Sequence, residues 1–544
     1  MEHYTELDGL TFSAMLRQGA VALGKEKDVI NDLNVFPIPD GDTGDNMFMT
    51  MKAGCKALEG QMGTLSEMAS AASSGMLLGA RGNSGVILSR IFAGLAKGLK
   101  GVIVADTKAF DKAMHAAVEE AYKAVPVPVE GTMITVIREG VSGADASEHL
   151  NRYFETMLVA MKTSLDHTPE LLPVLKDAGV VDSGGAGVLC VFQGMNDALC
   201  GHVSDEELAS TKAEMPSVDL NKFDEDSTLE FGYCTEFLLR LLRAKVDLNT
   251  FNEQVIIDYL NQVGESVVAF REGSIVKVHV HTFTPGMILN EMQKYGEFLT
   301  IKIENMSLQH HQETNQNNAS FKKPQRKYGI VTVASGDGLI NAFREIGADE
   351  VIAGGQTMNP STQDFIEAFK RINAQHILVF PNNKNIRMAA DQAAELYKDA
   401  EIHVLPSTTI GEGYYGIGFI DRDNPDVEEV VASVVELMDS VTTGMISTAI
   451  RDVEGEVSVH TGDYVGYCGK TILSDSPSRM EAATALCRRL DAASHDVMLV
   501  FYGKEVPADE AEALAAELQK EYKTLEIIFN CGLQPVYDYI FVLC

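Results

Sequence analysis

Through most of the first two hundred residues, apolar side chains recur three and four positions apart, the spacing that gives a helix one buried face. It predicts helices at Leu10–Leu23, Met47–Leu58, Leu65–Leu78, Ser84–Leu99, Asp106–Ala124, Ala146–Leu165 and Gly184–Leu199. Few β-rich runs interrupt them, so residues 1–203 are expected to form an all-α domain, a bundle or barrel of about eight helices. A charged, Ser-bearing linker at 204–228 follows. The pattern then predicts strand Leu229–Leu242, helix Thr250–Val263, strands Ser266–Arg271 and Ile275–His281, helix Pro285–Tyr295 and strand Leu299–Met306. That order, over 229–308, is the ferredoxin-like split βαβ unit. A polar linker at 309–327 leads into 328–544. There the strands Tyr328–Val333, Val351–Ala353, His376–Phe380 and Ile402–Leu405 alternate with helices, as in a parallel α/β sheet. The end of the chain keeps mixed character, with Val497–Tyr502, Ala508–Tyr522 and Leu525–Asn530. The expected fold class is therefore multidomain, α followed by α+β and α/β.

Bulk composition narrows the partners. The chain has 544 residues, too many for one core, and 45% hydrophobic with 22% charged residues is ordinary globular usage. A net charge of -34 argues against nucleic acid or an anionic membrane surface as the main partner. It also means that an anionic substrate has to be met by metal ions or local donors. The eight cysteines are scattered without a CxxC, which reads as reduced thiols of a cytoplasmic protein. Glu2, Glu6 and Asp8 interrupt the opening segment and no apolar run reaches spanning length, so neither signal peptide nor integral membrane segment is expected.

The densest chemistry lies between Asn34 and Asn46. Asp40, Asp42 and Asp45 crowd into a Gly- and Pro-rich loop just ahead of a helix. Carboxylates this close repel one another unless a hard cation sits among them, and Gly41 and Gly44 let the backbone approach a ligand. Amides at the following helix start would face an anion. A solvated turn uses the same residues, and this loop alone does not decide between them. Three further loops interrupt the helices: Gly79–Gly85, Glu130–Met133 and Asp182–Gly185. Gly82, Ser84 and Gly85 stand where a helix begins, and Ser84 is either a phosphate ligand or an ordinary cap. No P-loop and no ordered protein-kinase motif set occurs.

Together these four loops resemble the nucleotide-binding subunit of dihydroxyacetone kinases. The runs Leu33–Gly44, Gly79–Ser89 and Val181–Gly185 resemble the bacterial fatty acid kinase more closely, and the resemblance continues through Gly232–Glu236, Val276–Thr282, Gly354–Ser361 and Pro381–Asn385. It implies a helical barrel over 1–203 that binds ATP and two Mg2+ ions, and a DegV-like C-terminal domain. Asp40 and Asp42 would then hold the metals and carry catalysis. Thr43, Asn46, Ser84 and the Gly82–Asn83 segment would contact phosphates, Thr132 and Met133 the adenine, and Asp182 the base or ribose. The dihydroxyacetone kinases have a third aspartate where this chain has Val35, with Asn34 the nearest oxygen donor. The resemblance further implies ATP-dependent phosphorylation of a fatty acid delivered by a separate DegV-like carrier protein, the middle and C-terminal domains recruiting the carrier and building a homodimer. A kinase subunit of the dihydroxyacetone type, working on a small ketose, and a nucleotide-sensing regulatory protein are the alternatives.

In the middle region His279 and His281 are two apart on a predicted strand beside the one that carries Cys234. One thiolate and two imidazoles suit zinc, although chance core or surface residues would read the same. The resemblance, in which all three recur as ligands, implies Zn2+. His310 and His311 read as solvated, and the Met-rich helices as adaptable core. The segments Gly354–Ser361 and Pro381–Asn385, at predicted strand ends, are expected to form a protein-docking surface, and no fatty acid is expected to be bound in this region.

Overall fold

The computed structural model describes residues 4–33, 41–125, 127–147, 149–201, 233–247, 251–252, 254–272, 274–305, 326–355 and 358–544, some residues of 233–305 by their backbone alone. The chain divides into two compact units, Met1–Ser210 with Gln325–Cys544, and Thr211–Pro324.

The first part of the larger unit is helical: α1 (Gly9–Asn31), α2 (Thr43–Ala57), α3 (Leu65–Gly79), α4 (Gly82–Gly98), α5 (Thr107–Ala124), α6 (Met133–Ser142), α7 (Leu150–Leu171), α8 (Pro173–Ala178) and α9 (Ser183–Leu199). Two-residue strands β1 (Glu6–Leu7) and β2 (Ala105–Asp106) pair beside them. Local chemistry sets the starts. Asp8 accepts the Thr11 amide at 2.8 Å, and Thr64 and Glu67 form a reciprocal capping box. Seven of these helices fall where apolar spacing puts them. The sequence reading missed α6, because Ile134, Thr135, Val136 and Ile137 are β-branched residues that favour strands. Its burial on nearly every side overrides that preference: Ile134, Val136, Ile137 and Val141 all belong to one core with Phe92, Phe110, Phe154 and Phe192.

The second part of this unit holds two sheets. The first has strands β7 (Arg326–Ala334), β8 (Glu350–Ala353), β9 (Ala374–Phe380) and β10 (Glu401–Val404) in the order β10-β9-β7-β8, all parallel. Crossover helices Asp337–Glu345, Thr362–Arg371 and Lys384–Leu396 join them. The second sheet comprises β11 (Thr442–Thr448), β12 (Tyr464–Cys468), β13 (Thr471–Ser476), β14 (Val497–Tyr502), β15 (Glu526–Cys531) and β16 (Tyr537–Leu543). Its order is β13-β12-β11-β16-β14-β15, with only β14 and β15 parallel. Four of these short strands were not foreseen, their apolar runs being too brief to declare themselves.

The helices and the parallel sheet share a core. Ala80 and Val86, at the α3–α4 junction, are buried with Val331, Val333, Ile352 and Phe365. Arg90 reaches from α4 to Gln392 at 2.9 Å and Glu395 at 2.5 Å. Gln392 in turn donates to the Leu77 carbonyl at 2.7 Å. Thr362 donates its amide to the Ala80 carbonyl at 3.1 Å.

In the smaller unit, β3 (Tyr233–Leu241), helix Gln254–Val263, β4 (Glu265–Glu272), β5 (Ile275–Thr282), helix Pro285–Met292 and β6 (Gly296–Asn305) follow the predicted element order. The sheet runs β4-β5-β3-β6, every pair antiparallel. Leu239, Val276, Val278 and Val280 form its core with Ile256 and Ile288. Among the described residues no disulfide occurs, and burial pushes the thiols of Cys55, Cys190 and Cys487 up to about 12. No described helix is long and apolar enough to cross a membrane.

Candidate functional site

The loops singled out by sequence meet at one place. A cavity of about 1060 Å³ is lined by Asp42 and Thr43, Asn46, Asn83 and Ser84, Thr132 and Met133, and Asp182 with Ser183. These residues stand at the amino ends of α2, α4, α6 and α9. An α-helix leaves its first amides unpaired and carries partial positive charge there. Four such ends around one space make a place for an anion.

Each loop is held by specific contacts. Gly44 packs on α1 so closely that an added Cβ would overlap the Lys27 carbonyl, and its amide donates to Asn31 Oδ1 at 2.7 Å. Asp45 is tied to the same helix, accepting from Lys27 Nζ at 2.6 Å and from Asn31 Nδ2 at 2.8 Å. That bond raises the Lys27 pKa. The three aspartates of the loop therefore do not share one environment: Asp45 has a lysine, whereas Asp42 faces the cavity. Gly82, at φ 56°, opens α4 against Asn46, where an added Cβ would lie 2.5 Å from the amide nitrogen. Ser183 donates to the Thr43 hydroxyl at 3.3 Å, joining the α2 and α9 ends. Asp182 caps α9 by accepting the Gly185 amide at 2.7 Å. Burial pushes its carboxyl up to about 6, against the pull of the Gly185 and Met133 amides. Thr132 spends its hydroxyl on the Val129 carbonyl at 2.8 Å, and the neighbouring loop is pinned where Arg138 pairs with Glu130 at 2.7 Å.

The rest of the lining comes from the two sheets, which the sequence reading did not connect with this site. Asn382 to Asn385, Thr408 to Ile410 and Arg451 line the same cavity. Asn359 donates its side-chain amide to Asp42 Oδ2 at 2.5 Å, and its backbone carbonyl accepts from Arg81 Nη1 at 2.6 Å. The expectation of a protein-docking surface at Gly354–Ser361 and Pro381–Asn385 is corrected here. The described parts of both segments are tied within the chain, Asn359 to Asp42 and Arg81, and Asn382 to Ser407 and Thr332. The available signal was their position at the carboxyl ends of parallel strands, where open α/β sheets bind ligands.

Asn34 and Asp40 lie outside the described residues, as do the side chains of Cys234, His279 and His281. Backbone register sets Cys234 opposite His281 and Glu236 opposite His279. All three positions alternate with the buried Thr235, Val278 and Val280, which puts them on one face of the sheet. For magnesium the fit rests on Asp42 and on a buried acceptor of the same lining with no donor, Asn83 Oδ1, which lacks a hydrogen-bond partner. The cavity lining also holds Asp177, Asp182, Asp452 and Glu454 against Lys384, Arg451 and Lys470. Such a balance admits a polyphosphate only together with cations.

A second cavity, at the carboxyl ends of β7 and β9, measures only about 50 Å³. That is far below the roughly 300 Å³ at which small-molecule sites begin, and no acyl chain fits it.

Comparison with known proteins follows this layout. Residues 37–197 match a model of the DAK2 domain, 230–313 one of the FakA-like fatty acid kinase middle domain, and 329–543 one of the FakA-like fatty acid kinase C-terminal region. Protein YloV of Bacillus subtilis (strain 168) is 38% identical over 556 residues, covering 98% of each chain. An uncharacterized protein of Staphylococcus aureus (strain USA300) is 34% identical over 555 residues, covering 99% of each. Among solved structures, DegV, a fatty acid binding protein from Bacillus subtilis, covers 40% of this chain and 99% of its own at 10% identity and TM-score 0.32. The dihydroxyacetone kinase of C. freundii in complex with AMP-PNP and Mg2+ covers 54% and 56% at 11% identity and TM-score 0.29. Both likenesses are too distant to carry an argument.

Proposed function

Because this chain belongs to the FakA-like fatty acid kinase family, with its DAK2 domain, we propose that it transfers the γ-phosphoryl group of ATP to the carboxylate of a fatty acid held by a separate DegV-like carrier protein. One observation carries the reading: four helix amino ends and Asp42 converge on one cavity that has more carboxylates than cations. On this reading 1–203 is the helical barrel that binds nucleotide, 229–308 is a ferredoxin-like unit, and 328–544 is DegV-like.

In the transfer a carboxylate oxygen forms a bond to the γ-phosphorus as the bond from that phosphorus to the β–γ bridging oxygen breaks. ADP leaves, and the product is an acyl-phosphate. A fatty carboxylate, with a pKa near ~4–5, is already ionised at neutral pH, so the step needs no general base. What the protein contributes is orientation and neutralisation of charge. The amides at the starts of α2 and α4, with the hydroxyls of Thr43 and Ser84, hold phosphate oxygens. Thr132, Met133 and Asp182 bound the space for adenosine. Asp42, with Asp40 as the resemblance implies, would hold two Mg2+ ions, which supply charge neutralisation on the triphosphate. Cys234, His279 and His281 would hold Zn2+ in the middle domain. The Asn359 side-chain amide, bonded to Asp42 Oδ2, would compete with a metal for that oxygen.

ATP consumption with oleate, measured with and without a purified DegV-like carrier, tests the proposal. Turnover that requires both lipid and carrier is expected. Turnover on a small ketose without the carrier would replace it with the dihydroxyacetone-type reading, and nucleotide binding without any turnover would replace it with a sensing role.

A further inference from the structure

A cluster of metal-ligating side chains outside this cavity's lining spans the outer strand of the parallel sheet and its neighbour. Strand β10 pairs with β9 so that Glu401 stands opposite His376. His403 lies two positions further along β10, and the two-residue period of a strand returns it to the face of Glu401. His376 Nδ1 and His403 Nε2 approach to 3.3 Å. Glu401 Oε2 lies 3.2 Å from His376 Nδ1, and Oε1 lies 3.7 Å from His403 Nε2. A tetrahedral ion with bonds near ~2.0–2.1 Å holds its donors about 3.3 Å apart. Two of the three contacts match that spacing. Both imidazoles are mostly enclosed, with side chains 19% and 20% exposed, whereas Glu401 is 64% exposed. The Tyr328 ring packs beside His376 at 5.8 Å. Among the described residues no lysine or arginine pairs with Glu401, so nothing but the two histidines answers its charge.

We propose that His376, Glu401 and His403 form a site for a borderline divalent transition ion of the zinc or cobalt class, with its remaining position open to solvent. Two imidazoles and a carboxylate are a donor set such ions favour over magnesium or calcium. The ion ties the four-residue edge strand β10 to its neighbour β9. This site is independent of the phosphoryl-transfer reading and of the Cys234 set. A second trio, His460, Asp463 and Asp475, differs in offering one imidazole, 68% exposed and paired with Asp475 at 2.9 Å.

The test is equilibrium dialysis of the full chain, without an added histidine tag, against Co2+, beside the His376→Gln/His403→Gln double variant. One equivalent of cobalt should be lost in the variant. The difference spectrum should show ligand-field bands without thiolate charge transfer, since no cysteine takes part. Equal cobalt in both proteins, or a thiolate band in the difference, overturns the proposal. Should the double variant fold poorly, Glu401→Gln decides, because that side chain is exposed. It should weaken Co2+ binding at least about tenfold with the circular dichroism unchanged, and unaltered affinity overturns the site.

Discussion

The cavity has two walls of different legibility. The helical wall is written in four short loops, each with its own glycine or threonine and its own helix start. The sheet wall is assembled from Asn382–Asn385 and Thr408–Ile410, with Asn359 bonded to Asp42, all far along the chain from the loops they face. Local chemistry announces the first wall, and only tertiary packing creates the second. The difference also separates roles, since the helical wall offers phosphate-binding amides and Asp42, while the sheet wall supplies Lys384, Arg451 and Lys470.

The sharpest way to test that division is inside the Asp loop. Asp42→Ala should lower phosphoryl transfer by about a thousandfold or more, about 4 kcal/mol in barrier, with the fold intact by circular dichroism. Asp45→Ala should do the reverse, keeping turnover within a few fold while lowering the unfolding midpoint, since Asp45 is committed to Lys27 and Asn31. Equal losses of activity would mean the two carboxylates share one job.

Asp182 gives the next effect. Its folded pKa of about 6 lies above the ordinary carboxylate value, so the folded chain binds the proton more tightly than the unfolded one. Its contribution is therefore full below about pH 4 and is lost as pH rises through about 6. Asp182→Asn keeps a capping oxygen for the Gly185 amide and removes the charge. It should stabilise the chain by about 2 kcal/mol at pH 7.5 and give no gain at pH 4, read from urea midpoints at both values. A gain that is constant with pH would contradict the buried-carboxylate account.

The sheet wall predicts smaller changes. Asn359→Ala frees Asp42 from a 2.5 Å hydrogen bond, and should lower the Mg2+ concentration for half-maximal nucleotide binding by about three- to tenfold, about 1 kcal/mol. A rise would mean that Asn359 supports the metal site instead of competing for it. Arg90→Ala removes contacts to Gln392 and Glu395. Its cost should stay below about 1 kcal/mol, because one partner is exposed, and turnover and the Mg2+ requirement should both stay unchanged.

Sequence alone carried the helices with clean three–four spacing, the parallel strands and the loop residues that share the cavity. It failed at α6, where Ile134 to Ile137 look like a strand until burial on all sides is known. It also failed at the short strands of the second sheet, some of whose partners lie far along the chain. The distinct fate of Asp45 could not be read either, since Lys27 and Asn31 reach it from the preceding helix. Asn359 was noted only as part of a motif at a strand end, and its contact with Asp42 is a product of packing alone.

Hydrogen exchange on the full chain, with and without AMP-PNP and Mg2+, tests the central claim most directly. The account predicts slowed exchange at the first amides of α2, α4, α6 and α9, together with 382–385 and 409–411, all dependent on Mg2+. Unchanged exchange at the four helix starts, with nucleotide demonstrably bound, would contradict it.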